Sequence, residues 1–301
     1  MKPEKFLEDI AQDLKLNQQQ FNLREEVFFP LRYDKNRPMT VQHTEIAPKM
    51  SQDSRLGQGD YVISINTTSQ NVVRSLANTY KEEMENDGVN TDQLLHGQKG
   101  QRGTWRVAYE WLWNYKYPRW LEANSWQILQ EKAKSPLNWI KFLTNDEKNR
   151  GGLVMPPPPP KVQQTTPTLP AEKSLWMAID CPVNNHQLLL LNRSPDGQKL
   201  LCPSSAYAPI SIIEKPPILL PQENSWAGQD SSQTNFRFDD LGKEEFLAIA
   251  LEKPLNLPWL NPRENEPLIA WNSERIKELF EELEKQNNWQ VFYQSFDVVE
   301  S

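Results

Sequence analysis

The chain has 301 residues, 38% hydrophobic and 24% charged, with a net charge of −7, 24 prolines, 11 glycines and two cysteines. That length suffices for two domains with separate cores, and the proline excess implies stiffened loops and strand ends. No apolar run approaches 18 residues, which excludes a membrane-spanning helix, two cysteines exclude a disulfide framework, and the charged start "MKPEKFLEDIAQDL" has no signal-peptide core, so residence in the cytoplasm is expected.

The first half reads as mainly helical. "PEKFLEDIAQDLKL" puts Phe6, Leu7, Ile10 and Leu14 on one helical face. "EEVFFPLRY" and "DYVISINTT" are short, β-branched or aromatic runs and predict strands. "SQNVVRSLANTYKEEMEND" predicts a helix with Ser69 as N-cap, an apolar stripe of Val72, Val73, Leu76, Tyr80 and Met84, and a stop at Asp87-Gly88.

Six of the 11 tryptophans fall between residues 105 and 139. Over 105–117, Trp105, Ala108, Tyr109, Leu112 and Trp113 share one arc of the helical wheel, and Val107, Trp111 and Tyr115 widen it. Arg106, Glu110 and Asn114 form the polar face. So wide an apolar arc predicts a helix packed on most sides, whereas a nucleic-acid platform would present its aromatics on an open basic face. Pro118 is expected to break this helix. A second helix then starts near Arg119, and Ser135-Pro136 opens a third, "SPLNWIKFLTND". Trp120 and Trp126 sit less regularly and are the expected exposed anchors. Residues 99–150 carry 10 basic and 5 acidic side chains, so Arg102, Arg106, Lys116, Arg119, Lys132 and Lys134 join them as candidate partner-binding residues.

Residues 149–173 contain Gly151-Gly152 and five consecutive prolines, and read as a linker. Arg150, Gly151, Gly152 and Met155 form its candidate hinge or cleavage region. Beyond it, "SLWMAID", "HQLLLLNR" and "KLLCP" predict strands, with a tight turn at 194–197 between the last two. "ISIIE" and "PPILLPQ" are Pro-bounded and suit sheet edges; "TNFRFDD" alternates; "EEFLAIALE" reads as a buried central strand. A helix, "NSERIKELFEELEKQ", and a strand, "WQVFYQSFDVV", end the chain. The expected architecture is α+β: a Trp-rich, mainly helical domain with a few strands (1–148), the linker, and a mainly β, sandwich-like domain with one helix (174–301).

Catalytic chemistry is not apparent. His43, His96 and His186 match no metal-ligand spacing, and no cofactor or metal is expected. Cys181 and His186 are near enough to invite a dyad reading, but both fall in an apparent loop; Cys202 ends an apolar strand and reads as core. The glycine-rich "GQKGQRG" at 97–103, with Lys99 and Arg102, precedes a helix but lacks the Lys-Ser/Thr of a phosphate loop.

The segments "QLLLLNRSPDGQKLLCPSS", "PPILLPQ" and "LGKEEFLAIALEKPL" follow one another in an order that resembles a bacterial domain of unknown function. That domain recurs C-terminal to caspase-like peptidases, protein kinases and other signalling modules. This chain departs from it at Leu201-Cys202-Pro203-Ser204, where the family carries a Leu-Phe-Pro-Asn tetrad. The resemblance covers under a third of the chain and implies a β-sandwich accessory domain in a signalling or defence context, not an activity. The expected function is therefore a non-enzymatic adaptor, regulator or proteolytic substrate acting through a protein partner, a signalling protease or an NTPase. The alternative is a nucleic-acid-binding regulator using residues 97–134, and a hydrolase built on Cys181 or Cys202 is a third reading.

Overall fold

The computed structural model describes residues 3–37, 42–56, 65–96, 103–134, 138–149, 166–229 and 236–300. The chain is α+β, helical to residue 132 and mainly β beyond it. It forms two compact units, Met1–Leu121 and Glu122–Ser301.

In the first unit, α1 (Pro3–Asn17) buries Phe6, Leu7, Ile10, Ala11 and Leu14, as its periodicity predicts. "EEVFFPLRY" is not a strand. It lies in helix α2 (Leu23–Tyr33), opened by a capping box in which the Asn22 side chain and Glu25 bond each other's backbone. Its buried Phe28, Phe29, Arg32 and Tyr33 recur at helical spacing, so tertiary burial and the cap outweigh the β preference of the individual residues. Helices α3 (His43–Ser51), α4 (Ile65–Thr79), α5 (Lys81–Asn86) and α6 (Thr91–His96) follow. The second expected strand is corrected in part: residues 65–68 are the first turn of α4, while 60–64 lie outside the described residues. Ser69 is therefore inside a helix, not capping one. Gly88, at φ +82°, stands beyond the end of α5, where a left-handed residue stops a helix.

The aromatic stretch forms α7 (Thr104–Trp111), a π-helical turn (Leu112–Lys116) and α8 (Tyr117–Lys132) without interruption. Pro118 does not break it. Proline lacks an N–H and its ring crowds the carbonyl four residues back. The wider turn just before it, in which Tyr117 N–H reaches the Leu112 carbonyl, lets the helix pass through that position.

The third expected helix is also corrected. Ser135 and Pro136 lie outside the described residues, and Ile140–Leu143 is strand β1, antiparallel to β3 (Trp176–Ile179). Helix α9 (Asn145–Asn149) follows β1. Part of the stretch read as linker is likewise a strand: β2 (Thr168–Pro170) runs parallel to β9 (Trp289–Val299). Residues 122–148 thus group with the β half, and the boundary between the two compact units falls within α8.

The remaining strands are β4 (His186–Ser194), β5 (Gly197–Cys202), β6 (Ile212–Ile213), β7 (Ile218–Leu220) and β8 (Gly242–Leu251). The larger sheet has the order β2-β9-β8-β4-β5, with β6 also on β4; the smaller is β1-β3-β7. Both contribute to one core, including Ile140, Met177, Ile179, Leu188, Leu190, Phe246, Ala248 and Phe292. The other parity of β4 and β8, Leu189, Leu191, Leu247 and Ile249, is buried too, which explains why these strands read as continuous apolar runs. Phe236 and Phe238 are buried as their alternation predicts, and an isolated bridge joins Phe236 to Leu175, just before β3. Short α10 (Trp226–Gln229) and amphipathic α11 (Ser273–Glu284), capped by Asn272, complete the unit. Among the described residues no helix is long and apolar enough to cross a membrane.

Candidate interaction surface

The aromatic stretch is an interior. Phe6 of α1 sits 5.2 Å from Trp113, 5.1 Å from Tyr117 and 5.6 Å from Trp120, ring centre to ring centre. Trp111, Trp113, Trp126 and Trp139 are buried. The indoles that reach polar groups use their own unit: Trp111 donates to Asp87 at 2.8 Å, Trp113 to the Tyr33 carbonyl at 3.0 Å, and Trp120 to Asp9 at 2.9 Å. Burial and the bond to Asp13 both hold the Tyr80 hydroxyl in its neutral form. On α7 and the π turn the wheel is right about Ala108, Leu112 and Trp113 but overextends its arc, since Val107 and Tyr115 are exposed. The π turn adds a residue to the repeat, so the phase of α7 does not carry into α8.

The two expected anchors fare differently. Trp120 is half-buried and committed to Asp9. Trp126, expected to be exposed, is only 2% exposed, on the α8 stripe of Leu121, Ser125 and Leu129. The Arg193 guanidinium lies 4.6 Å from its ring centre while bonding Glu245 at 2.7 Å. Trp126 is therefore covered by the larger sheet's own charged side chain and cannot serve as a free anchor.

The basic candidates are engaged within the chain. Arg119 bonds Asp87, and its guanidinium holds that carboxyl below the usual range. Lys116 bonds both oxygens of Glu83, at 2.8 and 2.9 Å, and stands 4.2 Å from the Tyr80 ring. Lys132 lies over Trp289 at 4.4 Å, Lys134 bonds Gln290 at 3.2 Å, and Arg106 stands 5.7 Å from the Trp105 ring. Arg32 occupies that ring's face at 3.4 Å. Arg102, Lys99, and the hinge candidates Arg150, Gly151, Gly152 and Met155 lie outside the described residues.

Both thiols are buried, and burial pushes each up to about 12. His186 directs Nδ1 to the Asn184 carbonyl at 2.7 Å. A thiol so far from ionising is a poor nucleophile. No group of His, Cys, Asp and Glu among the described residues is arranged to hold a metal ion.

Sequence reasoning missed a concavity of the first unit. A groove of about 800 Å³ runs along α1 and α2. These helices are joined by residues 18–22, and Lys15 near the end of α1 bonds Glu26 near the start of α2, so they run antiparallel. The groove face of α1 carries Glu4, Glu8, Gln12 and Lys15 at helical spacing, with Leu7 and Ala11 of the buried stripe forming its floor. Pro30 and Leu31 line the α2 side. Leu16 stands at one end and is 78% exposed. The sequence signal was Leu16 itself, an apolar residue off the buried stripe. A second hollow, about 430 Å³ and polar, is lined by residues that include Asp13, Asn78, Tyr80, Glu83 and Lys116. Its charges are already paired: Tyr80 bonds Asp13, and Lys116 bonds Glu83.

With this geometry in hand, comparison with protein families, with curated proteins and with solved structures returns no match to the chain.

Proposed function

We propose that this chain is a non-enzymatic adaptor or regulator that acts by binding another protein, and that the α1–α2 groove of its helical unit is the binding surface. The groove is the observation that carries this reading: apolar side chains at the floor and one end and charged side chains at the rim, most of them on α1 and α2, with Asp34, Arg37 and Arg55 from the turns after α2 and α3. The nucleic-acid alternative is weaker, because the described basic residues of 97–134 already face acidic, amide or aromatic partners in their own unit. The hydrolase reading is weaker still, given two buried and strongly un-ionised thiols. The signalling context, with a protease or NTPase as partner, rests on the resemblance of the C-terminal segments alone.

The test is site-specific photo-crosslinking of the full chain in its own cells from position 16, with position 277 on α11 as control. A discrete adduct with one protein, formed only from position 16, is the expected result. Adducts equal at both positions, or none, count against the reading. Low-salt retention of the full chain on a polyanion column would revive the alternative.

A further inference from the structure

The charge left uncompensated around the groove narrows what can occupy it. Its basic residues are already held: Lys15 by Glu26 at 2.8 Å, Arg55 by Glu26 at 3.2 Å and Asp53 at 2.8 Å, and Arg37 by the Leu31 carbonyl at 2.8 Å and Asp34 at 3.7 Å. Glu4 and Glu8 are different. They sit one helical turn apart on the rim, exposed, and neither forms an ion pair or hydrogen bond with the described residues. The groove is thus apolar with a net negative end.

From Glu4 to Leu16 is twelve residues of α1, about 18 Å at the rise of an α-helix, so three to four turns of a second helix would fill the groove's length. Its long walls are helices, and its described lining residues offer no unpaired strand edge, which disfavours an extended peptide that needs a ladder of backbone bonds. A helix brings its backbone already satisfied. The uncompensated Glu4 and Glu8 also repel phosphate at that end, which disfavours anionic lipid and nucleic acid.

Resting on the reading of the groove as a binding surface, we infer that its occupant is an amphipathic helix of a partner protein. One face packs on Leu16, Pro30, Leu31 and the floor at Leu7 and Ala11, and a Lys or Arg at one end meets Glu4 and Glu8. The helix reads as apolar residues at three- and four-residue spacing with a basic end.

The full chain is titrated with two labelled 18-residue helical peptides that share an apolar face and differ only in carrying Lys or Glu at one end. The readout is fluorescence anisotropy. The expected result is preferential binding of the Lys peptide, weakened roughly tenfold by Leu16→Asp and several-fold by the double variant Glu4→Gln/Glu8→Gln. The sign at Leu16 is diagnostic. Non-specific attraction to an acidic chain would be strengthened by Leu16→Asp, so tighter or unchanged binding overturns the inference. Equal or better binding of the Glu peptide overturns the charge assignment. If neither peptide binds while position 16 still crosslinks to one protein, the helix class is wrong and the protein-binding reading stands. Leu16, Glu4 and Glu8 are exposed, and circular dichroism of each variant checks that the fold is kept.

Discussion

Arg119 and Trp111 meet on one carboxylate: the guanidinium and the indole N–H each donate to Asp87 Oδ2 at 2.8 Å. Asp87 follows α5, while Trp111 and Arg119 lie on either side of the π turn, so a single acid fixes both flanks of that turn. A side chain that sequence reasoning offered to a partner is a strut of the helical unit. Replacing Asp87 by Ala strands a buried indole N–H and should cost about 2 kcal/mol of unfolding free energy. Arg119→Ala, whose side chain is half exposed, should cost about 1 kcal/mol or less. Urea denaturation of the two variants checks the order, and a larger loss for Arg119 would contradict it.

Trp126 gives a second test of interior against surface. If it is packed beneath Arg193, Trp126→Ala should destabilise by about 3–5 kcal/mol, in the range of large-to-small core changes. An exposed anchor would leave stability within about 0.5 kcal/mol of the parent. Phe6→Ala, at the centre of the aromatic group, is expected to fall in the same high range.

The thiols supply a kinetic prediction. Cys181 and Cys202, pushed up to about 12 by burial, should react with a thiol reagent at pH 8 only as the chain opens. Labelling of the native protein is expected to be slow and to speed up in denaturant. Rapid native labelling of one cysteine would reinstate a reactive thiol.

Glu266 supplies a pH dependence. The Arg275 guanidinium first, then the Ala270 amide, holds its carboxyl down to about 2 from an ordinary 4.5. A carboxylate depressed in the folded state adds stability that is fully present above its unfolded value. That stability is lost as pH falls from about 4.5 towards 2. Glu266→Gln should therefore remove part of the acid slope of unfolding and leave differences between pH 6 and 8 unchanged. An unaltered slope below pH 4.5 would contradict the pairing.

The pattern of legibility follows from where each element gets its stability. Helices α1 and α11 were readable because their periodicity matches their burial, and strands β4 and β8 because both of their faces are buried and the run is continuously apolar. Helix α2 was not, because a run of Val, Phe and Tyr suits a strand locally; the overlooked evidence was Asn22 followed three residues later by Glu25, a helix start. If that box matters as it should, Asn22→Ala costs about 1 kcal/mol. Strand β1 was out of reach of any local reading, since Ile140–Leu143 becomes a strand by pairing with Trp176–Ile179, far along the chain. The candidate site was the least legible part. Sequence reasoning followed aromatic and basic abundance to Trp120, Trp126 and their neighbours, yet abundance does not report which charges are already paired. A groove exists only once two helices lie side by side, and its negative end becomes visible only after Lys15, Arg37 and Arg55 are found to be occupied.

The most direct measurement is the crosslinking comparison, with a photoreactive residue at position 16 set against position 277. The account predicts one discrete adduct, from position 16 alone, with the attachment mapped by mass spectrometry to an amphipathic segment of a single protein. Adducts of equal yield from both positions, or attachment scattered over many proteins, would contradict it.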